Sequence, residues 1–239
     1  MKVNVVWMKA GLVFLSGAIV SFGYAAKAKT LDSQIAIYQE EEKGIDKPYI
    51  TRFIANERFL RIDEGNDKSG YVLYDREDRT IYSVVHENRT IMTVTSKPVL
   101  GKLPKELKVK TSKNVDKKMP KIGGQQPIHL VNQVNGKTCV NYVLVPHTLP
   151  QVVKAVMEYR SVLAGQHWLN LDKTPKDMRD PCHTAFNIFN NSNYLKIGLV
   201  VREWRKQKKR QLIDLKQHVA VKEALFKLPK QYRRFKTSF

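Results

Sequence analysis

The feature that most constrains the fold of this chain is a series of short apolar-rich runs between residues 32 and 96. After a longer first gap, these runs begin about 9 to 13 residues apart. β-Branched and aromatic residues within the runs favour strands, and the Gly, Asn, Asp and Glu residues between them favour turns. The pattern predicts an antiparallel meander with strands at 33–38, 49–54, 58–63, 71–74, 80–85 and 90–94.

The strand pattern fades over 97–127 and then returns. We predict a long basic connection across 97–127, because this stretch is rich in lysine and lacks a clear apolar period. Asn135-Gly136 is a strong signal for a tight hairpin turn. The predicted later strands are 128–134, 138–145, 197–204 and 210–216.

The period of the apolar residues changes from that of a strand to that of a helix at about 148–191, which predicts a helical insertion. Thr148 and Gln151 have the spacing of a capping box, and Gly165 is a candidate for the end of the first helix. Its apolar stripe, Val152, Val156, Tyr159 and Leu163, is either an ordinary packing face or the inner side of a lid. Asp180 before Pro181 predicts the start of a second helix.

The N-terminus has the three parts of a secretory signal peptide. Lys2 and Lys9 supply positive charge, residues 10–26 are largely apolar, and small residues close the run. We therefore predict a signal peptide at 1–26 and one exported domain at 27–239. An uncleaved N-terminal anchor is the alternative, because residues 3–8 are also largely apolar.

Cys139 and Cys182 are the only cysteines in the chain. In an exported protein, a small and even number of cysteines favours a disulfide, and two cysteines allow one pairing. A redox pair is less favoured because the chain has no Cys-x-x-Cys motif. Such a disulfide would join the second predicted helix to the hairpin at 128–145.

The chain is strongly basic, with 42 Lys and Arg against 22 Asp and Glu, and a net charge of +20. A charge of this size favours anionic partners and salt-sensitive association. Nucleic acid is not expected as a partner, because no recognition helix or stacking motif accompanies the charge. The candidates for a basic surface are Lys113, Lys117, Lys118 and Lys121, which form either a solvated loop or a contact with an anionic membrane.

No motif in the sequence indicates catalysis or a cofactor. The six histidines and two cysteines lack the spacings of metal ligands, and no nucleophile elbow or glycine-rich phosphate loop occurs. The sequence therefore predicts a non-enzymatic protein with no catalytic residue, no metal and no cofactor.

Three segments resemble the periplasmic superfamily that sorts outer-membrane lipoproteins, the LolA/LppX-like half-barrels and their uncharacterised relatives. They are the strand–turn–strand 49–63 with its Arg-x-Asp ending, the hairpin 70–84, and the closing 224–232. Gln231 stands where that family usually has glycine. The lipobox cysteine is absent, and the helical insertion is larger than expected.

The resemblance implies a mainly β fold of the α+β kind. In that fold, a curved antiparallel half-barrel sheet has helices packed over its concave face, and the enclosed apolar cavity binds acyl chains. The implied function is periplasmic binding or carriage of a lipid or a lipoprotein acyl chain. The candidates for the cavity lining are Tyr49, Phe53, Tyr74, Tyr82, Met92, Val153, Val156 and Met157. The alternative is a structural or regulatory envelope module that docks on an anionic membrane or a protein partner through its basic surface.

Overall fold

One open, curved sheet of twelve strands organises the chain in a computed structural model, which describes residues 28–115 and 117–236. The predicted signal peptide at 1–26 lies outside the described residues. The strands are β1 (Thr30–Glu42), β2 (Tyr49–Ala55), β3 (Phe59–Asp63), β4 (Tyr71–Asp75), β5 (Thr80–Val85), β6 (Thr90–Thr95), β7 (Val109–Val115), β8 (Ile128–Val134), β9 (Lys137–Val145), β10 (Leu199–Arg205), β11 (Lys208–Lys222) and β12 (Arg233–Lys236). Their order across the sheet is β12-β6-β5-β4-β3-β2-β1-β11-β10-β9-β8-β7.

The predicted meander is confirmed as β1 to β6, in which each strand pairs antiparallel with the next. β1 and β11 are much longer than the predicted runs 33–38 and 210–216, and they pair with each other along nearly their whole length. This pairing joins the meander to a second antiparallel group, β7 to β11. Among the strands of the described residues, β12 is the one that pairs in parallel, with β6 at one edge of the sheet.

The prediction of a strandless connection across 97–127 is wrong, because this stretch contains β7. Its seven residues pair antiparallel with β8 and form the other edge of the sheet. Lysine has a low preference for strands, but lysines are common on edge strands, where the side chains reach solvent. The backbone ladder with β8 therefore decides the conformation here.

The first helix, α1 (Pro150–Leu171), differs from its prediction at both ends. Its N-cap is Leu149, in a left-handed conformation with φ 46°, and the Thr148 hydroxyl donates to the Pro146 carbonyl instead of capping the helix. The fully buried Leu149 side chain packs in the core, and this burial outweighs the local preference for a polar cap.

Gly165 does not end α1 but lies inside it. A Cβ atom at this position would overlap the carbonyl group of Lys97, in the connection that follows β6. The missing side chain lets the connection pass close to the helix, so Gly165 is present for packing rather than for chain termination.

The predicted second helix begins where expected, because the Asp180 carboxylate accepts a hydrogen bond from the Cys182 backbone at 2.8 Å. This helix, α2 (Pro181–His183), continues directly as a π-helix (Thr184–Phe189). Short 3-10 turns lie at Lys176–Met178, Asn193–Lys196 and Glu223–Phe226. The predicted disulfide joins Cys182 to Cys139 on β9, with Cα atoms 5.5 Å apart, and such a bond is typical of proteins in oxidising, exported compartments.

The strands β2 to β5 are covered on both faces of the sheet. On the helix-covered face, α1 buries an apolar cluster that includes Phe53, Leu60 and Tyr74. On the opposite face, the segment 223–232 packs Phe226 and Tyr232 against β3 to β6. Both faces of β2 to β5 are therefore buried, which explains their nearly continuous apolar sequence.

We expect Gly165→Ala to destabilise the protein by about 1–3 kcal/mol, because the added methyl group forces the Lys97 backbone away from α1. On an open helix surface the same change would stabilise by about 1 kcal/mol, so the sign of the effect tests the packing. Urea unfolding measures the free energy. Lys154→Ala, on an exposed position of the same helix, is the control and should change it by less than about 0.5 kcal/mol.

Candidate functional site

Five of the eight cavity candidates meet in one place, between α1 and the sheet. Phe53 and Tyr74 are buried there, and Met92, Val153 and Val156 pack against them. The sheet register explains the grouping. Alternate residues of neighbouring strands point to the same face, and α1 presents residues 152, 153 and 156 to it.

The other three candidates lie elsewhere. Met157 packs in a neighbouring cluster around Tyr142, still under the helices. Tyr82 packs on the opposite face of the sheet. Tyr49 is the first residue of β2, where its hydroxyl donates to Glu42 at 2.9 Å.

The interface between α1 and the sheet is closely filled. The cavity left beside Tyr38, Phe53, Val152 and Leu199 has a volume of about 20 Å³. A space of this size holds about one water molecule, so it is far smaller than an acyl chain requires. A ligand could enter here only if α1 moved away from the sheet.

A row of charged side chains, which the sequence analysis did not identify, crosses the helix-covered face at the junction of the two strand groups. Register places Glu40 of β1 opposite Arg210 of β11, and Arg210 opposite Glu203 of β10. Arg210 donates to Glu40 at 2.8 Å, Lys208 also pairs with Glu40, and Arg205 pairs with Glu203. Both carboxylates are almost fully buried.

The charges in this row keep both carboxylates ionised. Burial alone would raise the pKa of Glu203, but Arg205 and Arg210 outweigh it and hold that pKa below its usual value. Burial also opposes ionisation of Glu40, and Arg210 and Lys208 lower its pKa in the same way. Every charge in the row is paired, so the row joins the strands β1, β11 and β10.

A second buried ion cluster holds the C-terminal segment on the opposite face. Asp63 accepts from Arg61 at 2.6 Å and from Arg52 at 2.9 Å. The Arg61 guanidinium lies 3.8 Å from the centre of the Tyr71 ring and donates to the Leu225 carbonyl at 2.7 Å. The Arg-x-Asp pair at the end of 49–63 therefore fastens the closing segment to the sheet.

The four basic-surface candidates are all exposed on or just after β7. Lys113 is on the strand itself, and Lys117, Lys118 and Lys121 follow it. They belong to a larger basic segment, residues 97–121, which has nine lysines against Glu106 and Asp116. All nine lysines are exposed.

The basic segment also exposes two large apolar side chains. Leu100 is 61% exposed and Val115 is 46% exposed, and lysines flank both of them in sequence. Elsewhere the segment is held to the helices: the Lys97 carbonyl lies against Gly165 of α1, and Leu103 and Leu107 pack in a cluster with Phe186. The segment is thus a charged surface on a fixed backbone path.

The described residues provide neither a metal cluster nor a membrane span. The helices bring the rings of His167 and His183 to 4.7 Å between centres, but nowhere in 28–115 and 117–236 do three His, Cys, Asp or Glu side chains group as metal ligands. Over the same ranges, no helix is both long enough and apolar enough to cross a membrane.

Comparison with known proteins assigns no family to the chain. No family model matches it, and no curated protein matches it. An uncharacterised conserved protein from Thermus thermophilus has 7% sequence identity and a TM-score of 0.44, over 86% of this chain and 90% of its own. PNGF-II, in two crystal forms, has 12% identity and a TM-score of 0.42 over 87% of this chain. This chain spans about a third of PNGF-II.

We expect the protein to lose stability as the pH falls below about 4.5, where unfolded glutamates become protonated. The pKa values of Glu40 and Glu203 are lower in the folded state than in the unfolded state. Their contribution to stability is therefore complete above the unfolded-state pKa, and it is lost as the pH falls through the folded-state pKa. Glu203→Gln should be less stable at neutral pH by about 3 kcal/mol, because it removes the buried carboxylate that pairs with Arg205.

Urea unfolding at a series of pH values measures this dependence. The decline in acid should be shallower for Glu203→Gln than for the unmodified protein. Glu87→Gln, at an exposed position, is the control and should reproduce the unmodified profile. If the unfolding free energy of Glu203→Gln falls with pH as steeply as that of the unmodified protein, Arg205 and Arg210 do not lower the pKa of Glu203.

Proposed function

We propose that this protein is an exported, periplasmic module that docks on anionic membrane surfaces through the basic segment 97–121. The observation that carries the proposal is the concentration of nine exposed lysines on this segment, with Leu100 and Val115 exposed among them. Each lysine near an anionic membrane contributes about 1 kcal/mol, and exposed apolar side chains add contact with the acyl boundary.

The surroundings of the segment support a membrane rather than a nucleic acid. The disulfide supports an exported location, where nucleic acid is a less available partner than an envelope surface. The charges are lysines on an edge strand and its flanks, with no stacked aromatic platform among them. The fixed backbone path presents these charges without a large ordering cost on binding.

We expect the mature protein to sediment with vesicles of equal parts phosphatidylglycerol and phosphatidylcholine, and not with pure phosphatidylcholine. Binding should weaken steeply as salt rises, because the screening length is about 10 Å at 0.1 M salt. Lys113→Gln, Lys117→Gln and Lys121→Gln together should lower the affinity at least about tenfold, since three charges near the surface are lost.

The matched control removes three exposed lysines elsewhere, with Lys43→Gln, Lys47→Gln and Lys68→Gln. It should retain most of the vesicle affinity. Equal losses in the two triple variants would show that only the net charge matters, and that the basic segment is no docking surface. Absence of vesicle binding at low salt would rule out the proposal entirely.

We also propose, as a second candidate, that the protein carries a lipid or a lipoprotein acyl chain as the LolA/LppX-like half-barrels do. The favouring observation is that Phe53, Tyr74, Met92, Val153 and Val156 converge between α1 and the sheet. In this proposal the helix-covered face is the concave side of a half-barrel and α1 is a lid. Because the present cavity is about 20 Å³, cargo requires α1 to move.

Native mass spectrometry of protein purified from its own envelope without detergent tests this second candidate. The carrier function predicts a reproducible extra mass that extracts into solvent as lipid. The docking function alone predicts the apo mass, unchanged after incubation with phospholipid and acylated peptide. Val156→Trp, which adds bulk under α1, should abolish the extra mass without affecting vesicle sedimentation.

A further inference from the structure

A groove of about 690 Å³ opens at the start of the basic segment, on the side where α1 meets the end of β6. Three elements build it. The turn between β4 and β5 contributes Arg79, the connection after β6 contributes Lys97 and Val99, and the helices contribute Ser161 and Phe189. None of these residues belongs to the tightly filled cluster between α1 and the sheet.

The sheet register places two cations at the rim of this groove. Thr80 of β5 pairs with Thr95 of β6, so Arg79 and Ser96 occupy the next positions along the two strands, and Lys97 follows. Both cations are exposed, and neither makes an ion pair with any acidic residue in the described ranges. The neighbouring Arg76, by contrast, pairs with Glu158 of α1 at 2.6 Å. The Glu158 carboxylate is therefore already neutralised by Arg76.

The backbone around the groove is fixed before any ligand binds. The Lys97 carbonyl lies against Gly165, and Gln166 donates to the Thr95 carbonyl at 3.1 Å. Further along the connection, a side chain at Gly101 would touch the Trp168 ring, so the backbone passes close to α1 there as well. A site formed by fixed backbone loses less conformational entropy on binding than a mobile loop does.

The lining combines anion-binding groups with apolar surface. Arg79 and Lys97 supply positive charge, and Ser161 supplies a hydroxyl. Val99 and Phe189 supply apolar contact, and the Phe189 ring is held against Trp168 at 5.7 Å between centres. Arginine binds phosphate oxygens through a planar fork and lysine binds them as a point charge, so the two suit a phosphate group.

We propose that this groove is a binding site for the phosphate headgroup of a single anionic phospholipid, with the first acyl carbons on Val99 and Phe189. The assignment rests on the docking function proposed above and deepens it, because it adds a site for one lipid molecule to a surface that otherwise binds by charge. Free inorganic phosphate shares the headgroup chemistry but lacks the apolar part, so it should bind much more weakly.

Isothermal titration of the mature protein with soluble dihexanoyl phosphatidic acid, and separately with inorganic phosphate, tests the site without a membrane. The short-chain lipid should bind at least about tenfold more tightly than phosphate. Arg79→Gln with Lys97→Gln should weaken lipid binding at least about tenfold, because two charge-assisted contacts are lost.

The matched control is Arg89→Gln with Lys230→Gln, which removes the same charge. Arg89 holds the corresponding left-handed turn position between β5 and β6, with φ 49° against 50° for Arg79, and it does not line the groove. The control pair should bind the short-chain lipid like the unmodified protein. Circular dichroism and the urea midpoint confirm that both double variants fold.

Three results would overturn the site: no binding of the short-chain lipid, phosphate bound as tightly as the lipid, or equal losses in the two double variants. Vesicle sedimentation separates this failure from failure of the docking function. Vesicle binding without short-chain lipid binding would leave the docking surface intact and remove the groove. Short-chain lipid binding without vesicle binding would retain the groove and remove the docking function on which its membrane role rests.

Discussion

The antiparallel pairing of β1 with β11 is the interaction on which the rest of this structure depends. β11 comes near the end of the chain, yet it lies beside β1 from Thr30 opposite Lys222 to Glu42 opposite Lys208. Without this ladder, the meander β1–β6 and the group β7–β11 would be two separate sheets. The ion row through Glu40, Arg210 and Glu203 crosses the same junction, and its buried charges are satisfied only when the strands lie in this register.

Coverage of the first strand group on both faces follows from that pairing. α1 packs on one face of the first group, and the segment after β11 packs on the other, fastened by Arg61 to the Leu225 carbonyl. The apolar side chains of β2 to β5 are thus used for packing. The exposed surface includes much of β11, the edges of the sheet and the connections, and the basic segment 97–121 combines one edge strand with connecting residues on both sides of it.

The basic segment 97–121 combines exposed lysines with exposed apolar side chains. Lysines repel one another, and nine of them on a short exposed path are stable mainly because solvent and salt screen the repulsion. An anionic surface relieves the same repulsion by neutralising the charges. The groove at the Lys97 end differs from the rest of the segment, because its backbone is fixed by Gly165 and its walls come from three separate elements.

The sequence by itself determined the strands of the meander, the Asn135-Gly136 hairpin, the Asp180 cap and the Cys139–Cys182 pair, because each depends on local periodicity, on turn or capping chemistry, or on a single possible pairing. It also identified the basic candidates, since charge is a property of composition. Only the tertiary structure decided that β7 is a strand, that Leu149 and not Thr148 caps α1, and that Gly165 lies inside a helix. It likewise brought Arg79 to Lys97 and Glu40 to Glu203 through Arg210. These outcomes depend on contacts between residues far apart in the chain, and local propensity is too weak to predict which of them will form.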